Sequence, residues 1–401
     1  MGAHDTPRNA PIEKLPPEIR RYLLFSLDFD ELRTLVKASP AYYQQYELDR
    51  RPILCKYVER TLGYVTVEAC ANHQADTVRS LSRRHGEFHE AMDRFRVISE
   101  ARSSPETYSI LADDFDANDI GEIITFHRKI VVPIARVFAD WALANLSGKS
   151  KFDRVHEPVT RTEQLRIFRA FYRFQLCCHL WGKIGCEFMS DAWDRCASLN
   201  LDGFCGPLEH WEIEEIGCVY KFVKAMFDKV FTDIHQDVRL GNDRFEPDTE
   251  GSYDFDNAGT RQDMLTGTIS RGLKLLHRVM YETNDHHDLV IEMLDSIRSA
   301  EDFDFEKEML EFVLSLRRNA ESSGRLDQKQ KRRGPLPFRG DGAPDTEGDR
   351  PPLAWTLIRK GTYSNSYHGL SIPEDLRYWG YVMWDSERLN NTPGALELLE
   401  T

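Results

Sequence analysis

The chain has 401 residues, 41% of them hydrophobic and 11% aromatic, the composition of a folded protein rather than a disordered or fibrous one. Its 66 acidic and 52 basic residues leave a net charge of −14, which argues against a nucleic-acid groove, since phosphate binding needs a concentrated positive field. No apolar run approaches the roughly 20 residues that cross a bilayer, and the opening MGAHDTPRNAPIEKLPP lacks the apolar core of a secretory signal.

These features place the chain in the cytoplasm, the nucleus or both, with neither nucleic acid nor membrane as a partner. Met1-Gly2-Ala3-His4-Asp5-Thr6 fits the loose template for N-myristoylation, a pattern that recurs by chance. In a reducing compartment the eight cysteines read as small buried hydrophobes rather than disulfide partners.

Residues 1–11 are expected to be flexible. From 12 to 52 the sequence encodes three short apolar helices. Pro16 and Pro17 suit a first helical turn, where a missing backbone N–H costs nothing, and Glu18 favours the positive end of its dipole. Ile19, Leu23, Leu24 and Leu27 follow at helical spacing. Asp28 or Asp30 can cap a second helix bearing Leu32, Leu35 and Val36, which Pro40 stops near Ala38 or Ser39. Tyr42, Tyr43 and Tyr46 suit a third. About 40 residues with this much aliphatic surface cannot sustain a core alone, so their apolar faces require a partner.

Leu15-Pro16-x-Glu18-Ile19, Leu23-Leu24-x-x-Leu27, Leu32-x-x-Leu35 and Ala38-Ser39 resemble the F-box without a gap. After Ser39, Pro-Ala-Tyr-Tyr-Gln-Gln-Tyr replaces the common basic, tryptophan-containing ending and is similar to the F-box-like domains of filamentous-fungal proteins. The resemblance implies a substrate receptor that attaches to the Skp-family adaptor of an SCF-type ubiquitin ligase. It implies adaptor contacts from Leu15, Pro16, Ile19, Leu24, Leu27, Leu32, Leu35, Val36 and Ser39.

Residues 53–320 read as an irregular multi-helix body. Helical patterns run over 51–74 and 76–99, and 103–118 is a loop. A capping box at Asp119 and Glu122 opens a helix that Pro133 kinks and that resumes to Trp141 and Leu143. Leu165, Phe168, Phe171, Tyr172 and Leu176 line one core helix, and Ile213, Ile216, Tyr220, Val223, Phe227 and Val230 line another. Residues 236–262 read as an acidic loop. Helices return at 264–280, 289–297 and 305–316. Strand alternation is nowhere sustained, so the fold class is all-α.

Residues 321–352 are rich in Gly, Pro, Arg, Lys and Asp and read as a disordered linker. The aromatic segment 353–401 is expected to pack back on the body, with Ser371 and Glu374 as a capping box and Leu376, Trp379 and Met383 on one helical face. Its Tyr-Trp-Gly-Tyr-Val-Met-Trp run and Arg388-Leu389 are also similar to the C-terminal pattern of the fungal F-box proteins. Tyr378, Trp379 and Trp384 are candidate substrate-binding residues, because exposed aromatics dominate interfaces; the alternative is that they close the helical core, since only one or two of them can point outward from a packed helix.

Six cysteines between Cys177 and Cys218 lack the Cys-x-x-Cys spacing of a zinc knuckle. His85-x-Glu87-x-His89 misplaces the glutamate of the zinc-protease motif, and Asp119 and Thr125 stand where a calcium loop needs Gly and Glu. Lys329, Lys331, Arg332 and Arg333 form a basic run in the linker. No phosphate loop or nucleophile elbow is present. The expectation is therefore a receptor without catalysis, metal or cofactor, with an unnamed protein as substrate. The alternative is a helical scaffold that recruits no ligase.

Overall fold

The computed structural model describes residues 10–81, 115–150, 157–181, 204, 208–238, 257–301, 337–342, 350–358 and 372–400. The described residues form helices and turns with no strand. Expectations for 1–9, for His85 and His89, for Cys186, Cys196 and Cys205, for the helix at 305–316 and for most of the linker fall outside them.

A short 3₁₀ turn, Pro11–Lys14, precedes α1, Pro17–Ser26, and α2, Phe29–Ala38. Asp28 caps α2 reciprocally: its carboxylate accepts the Glu31 N–H at 2.8 Å, and Glu31 accepts the Asp28 N–H at 3.0 Å. Pro40 does more than end α2. It is the first residue of α3, Pro40–Leu62, whose N-cap is Ser39.

Helix α3 runs through the boundary expected at residue 52. Pro52 cannot donate to the carbonyl of Leu48 and crowds it, and Asp49 takes up the resulting distortion at φ −112° and ψ 16°. Tyr42 and Ile53 pack with Leu24 and Leu32 in a small N-terminal core, whereas Leu54, Val58 and Leu62 enter the main core. One helix therefore belongs to both.

A 3₁₀ turn at Gly63–Val65 ends α3, and α4, Thr66–Leu81, follows. The helical break falls at Gly63 rather than near residue 75, because Gly63 adopts φ +52°. The cap of helix α5, Ala117–Phe126, is Asp116, three residues before the expected cap at Asp119. Asp116 accepts the N–H groups of Asn118 and Asp119 at 2.6 and 2.9 Å, and Asp119 accepts that of Asp116. Those amide bonds hold the Asp116 pKa below the ordinary carboxylate value.

Ahead of Pro133 the chain widens into a π turn, His127–Val131, and continues as α6, Val132–Ser150. The wider turn absorbs the missing proline donor without ending the helix. Ala117–Gly148 is consequently long and apolar enough, by length and composition, to cross a membrane. That corrects the sequence expectation that no apolar run approaches about 20 residues. Its Ile120, Ile124, Ile134, Phe138 and Leu146 are buried in the main core, while Glu122, Lys129, Arg136 and Asp140 are exposed.

Helices α7, Arg161–Trp181, and α8, His210–Ile234, form the centre. Phe138 of α6, Phe171 and Phe222 meet edge to face, at 5.7 Å and 5.5 Å from Phe138. Around them lie α9, Ala258–Ile269, α10, Leu273–His277, and α11, His286–Glu301. Asn257 caps α9, so the last five residues of the expected acidic loop are its N-terminus.

The chain closes with α12, Leu353–Ile358, α13, Glu374–Tyr378, α14, Ser386–Asn391, and α15, Ala395–Glu400. Helix α13 ends five residues short of Met383. Gly380, at φ +63°, lets its own N–H reach the Arg377 carbonyl and that of Tyr381 reach Leu376, a Schellman termination. Leu376, Trp379 and Met383 thus reach the core from a helix and a turn, not from one helical face. The linker expectation also fails at 337–342 and 350–352: Asp341 accepts the Ser386 N–H at 2.8 Å and pairs with Arg166, and Pro351 and Pro352 are buried.

Candidate functional site

The N-terminal three helices present the first candidate. Leu24 is 1% exposed and packs with Leu32, Tyr42 and Ile53, flanked by Leu23, Phe25, Leu27, Leu35, Val36 and Tyr46. Ser39 caps α3 by accepting the Tyr42 N–H at 3.4 Å, and its hydroxyl donates to the Glu13 carboxylate. The Tyr42 hydroxyl donates to the Ile12 carbonyl at 3.0 Å, which fastens the opening 3₁₀ turn to α3. Burial raises the Tyr42 pKa.

Leu24, Leu32 and Ser39 are therefore interior groups, a correction to their assignment as adaptor contacts. Leu15, Leu27, Leu35 and Val36 are half-buried, whereas Pro16 and Ile19 are exposed. Exposed apolar area comes mainly from residues the motif did not single out. Tyr22 is 73% and Leu48 82% exposed, with Ile12, Ile19 and Tyr43 also open to solvent. Among the described residues the other large exposed hydrophobics are Tyr281 and Ile291. Tyr22 was legible as the i+3 neighbour of Ile19 on α1. Leu48 precedes the kink set by Pro52 and had no such signal.

Polar contacts fix this element to the body. Arg128 within the π turn makes a two-oxygen pair with Asp30 at 2.6 and 2.7 Å and lies over the Phe29 ring at 4.5 Å. Its hydrogen bond keeps the Asp30 pKa below the usual value. Arg60 of α3 donates to the last carbonyls of α1, including Ser26 at 2.7 Å, where a cation opposes the negative helix end.

The second candidate is a charged cluster in the core. Arg173 of α7 donates to Glu68 of α4 at 2.9 Å and to Glu212 of α8 at 2.8 Å. Arg169, one turn earlier, grips Glu215 with two nitrogens, at 2.9 and 2.5 Å. Burial raises the Glu215 pKa, opposed by the Arg169 cation. The fork geometry staples three helices together, the arrangement of an interior brace.

Tyr378, Trp379 and Trp384 form no exposed patch. Trp379 and Trp384 are fully buried, and the Trp384 indole N–H donates to the Trp379 carbonyl at 2.7 Å. Tyr378 is half-buried 5.9 Å from Trp141. Trp379 and Trp384 therefore close the core, which removes them as substrate-binding residues, whereas Tyr378 keeps partial exposure.

Among the described residues no group of three or more His, Cys, Asp or Glu side chains is placed to hold a metal. Cys177, Cys178 and Cys218 are buried, and burial pushes the Cys218 thiol pKa well up. Comparison of the chain with protein-family models, curated proteins and solved structures finds no match.

Proposed function

We propose that the chain is an F-box-like substrate receptor, which joins a target protein to an SCF-type ubiquitin ligase through a Skp-family adaptor. The observation that carries this reading is the concentration of exposed Ile12, Ile19, Tyr22, Tyr43 and Leu48 on the N-terminal element. Soluble chains rarely leave so much aromatic and aliphatic area open without a partner for it. The resemblance of Leu15–Ser39 names the partner class. The adaptor contacts are Pro16, Ile19 and Tyr22, flanked by half-buried Leu15 and Leu27. The receptor works in the cytoplasm or nucleus and does no chemistry itself: it supplies proximity and orientation for transfer by the ligase.

A scaffold that recruits no ligase is the second reading. It draws support from α3, which the N-terminal element shares with the body core. Reconstitution separates the two. With purified adaptor, ligase core, ubiquitin and ATP, the chain should become ubiquitinated only when the adaptor is present, and Ile19→Asp with Tyr22→Asp should abolish the modification. Modification that ignores the adaptor and the double variant would sink the receptor reading.

A further inference from the structure

The N-terminus of α7 is held from two sides. Thr160 and Glu163 form its capping pair, with the Thr160 N–H donating to the Glu163 carboxylate at 2.9 Å. The same carboxylate, fully buried, accepts two nitrogens of Arg388 at 2.7 Å each and the Asp385 N–H at 3.0 Å. Arg388 also donates to the carbonyls of Glu157 and Pro158 at 3.0 and 2.8 Å, and the Thr160 hydroxyl donates to Asp385. The C-terminal segment therefore closes around the start of α7.

On the other side stands Arg161, the first residue of α7. A guanidinium there opposes its own helix dipole, but it donates to the carbonyls of Arg60, at 3.2 Å, and Thr61, which end α3. The side chain of Arg60 in turn donates to the Phe25, Ser26 and Leu27 carbonyls that end α1. The contacts run without a gap from Arg388 through α7 and α3 to α1.

We infer that the C-terminal segment is a clasp that holds α1 in place through the N-terminus of α7. Loosening Arg388 frees Thr160 and Arg161, Arg161 then loses the α3 carbonyls, and Arg60 loses its fixed position under α1. Control of adaptor docking by the clasp rests on the function proposed above, whereas the coupling itself does not.

The test is a cycle read by amide exchange at Leu27 and Gly63, whose N–H groups bond the Leu23 and Glu59 carbonyls. One arm is Arg388→Met with Glu163→Gln, which removes both buried charges together. The other is Arg161→Met. Each arm should speed exchange at both amides several-fold, and the combination should fall short of the product of the two by more than about twofold, the margin within which independent sites multiply. A product within that margin, or unchanged exchange in the first arm, overturns the clasp. If the charge-removing pair does not fold, Asp385→Ala, which removes the C-terminal acceptor of the Thr160 hydroxyl but keeps the Glu163–Arg388 pair, the Thr160 cap of α7 and the Arg166–Asp341 pair, provides the same arm and the same two outcomes. Exchange is measured without adaptor, so failure of the clasp and failure of adaptor binding remain separate results.

Discussion

Acid should destabilise this protein through His127. The ring is buried, edge-on to Phe168 at 4.7 Å and parallel to Tyr172 at 6.1 Å, and its Nδ1 has no hydrogen-bond partner. Burial first, then the Arg161 and Arg128 cations, lowers its pKa from 6.5 to about 3. In the unfolded chain the imidazole binds a proton below about pH 6.5, and in the folded chain it does so only near pH 3. Its contribution is therefore fully present above pH 6.5 and is lost as the pH falls. At 1.36 kcal/mol per unit, the loss is about 2 kcal/mol at pH 5 and about 4 kcal/mol at pH 3, where the folded-state ring is half protonated. Urea unfolding at pH 7 and pH 5 should show the wild type losing about 2 kcal/mol more than His127→Phe. Carboxylates that titrate in this range, among them Asp385, whose pKa burial raises, cancel in that comparison. Equal losses in the two proteins would refute the argument.

Arg173→Met should cost about 3 to 5 kcal/mol, because it strips a fully buried cation from Glu68 and Glu212. A chemical melt showing a loss under about 1 kcal/mol would contradict the bracing role. Trp379→Ala should cost a similar amount, about 3 to 5 kcal/mol, by opening a cavity in the main core, and an unchanged thermal midpoint would contradict the core placement. Leu24→Asp should unfold the N-terminal element, since it buries an unpaired charge beside Tyr42 and Ile53. Ile19→Asp, at an exposed position, should leave the melt within about 0.5 kcal/mol of wild type, and equal destabilisation by the two substitutions would show that Ile19 is also interior.

Much of the fold was legible because local chemistry decides it. Pro17 and Asp28 mark helix starts by donor counting and capping alone, and α7 and α8 are apolar enough to reveal a central position, whereas Ser39, read only as the stop of α2, is also the cap of α3. What escaped depends on contacts distant in sequence. Glu68 and Arg173, or Glu163 and Arg388, are ordinary charges until the fold brings them together. The F-box-like segment was bounded at residue 52, but packing on both cores carries α3 past it. Gly380 carried the Schellman signal, yet helical periodicity across Leu376, Trp379 and Met383 concealed the end of α13. At the candidate site, periodicity showed that Leu24 and Leu32 needed an apolar neighbour. It could not show that Tyr42 and Ile53 of the same chain provide one, nor that Tyr22 and Leu48 stay exposed.

The central claim is that the N-terminal element binds a Skp-family adaptor through its exposed side chains. Titration of the purified full chain with purified adaptor tests it most directly. The account predicts a one-to-one complex with a dissociation constant of about 10 μM or below. Ile19→Asp with Tyr22→Asp should weaken it about 100-fold, as two charges desolvated at an interface require, while the thermal midpoint stays unchanged. Absence of binding with adaptor at about 100 μM, or equal affinity in the double variant, would contradict the account.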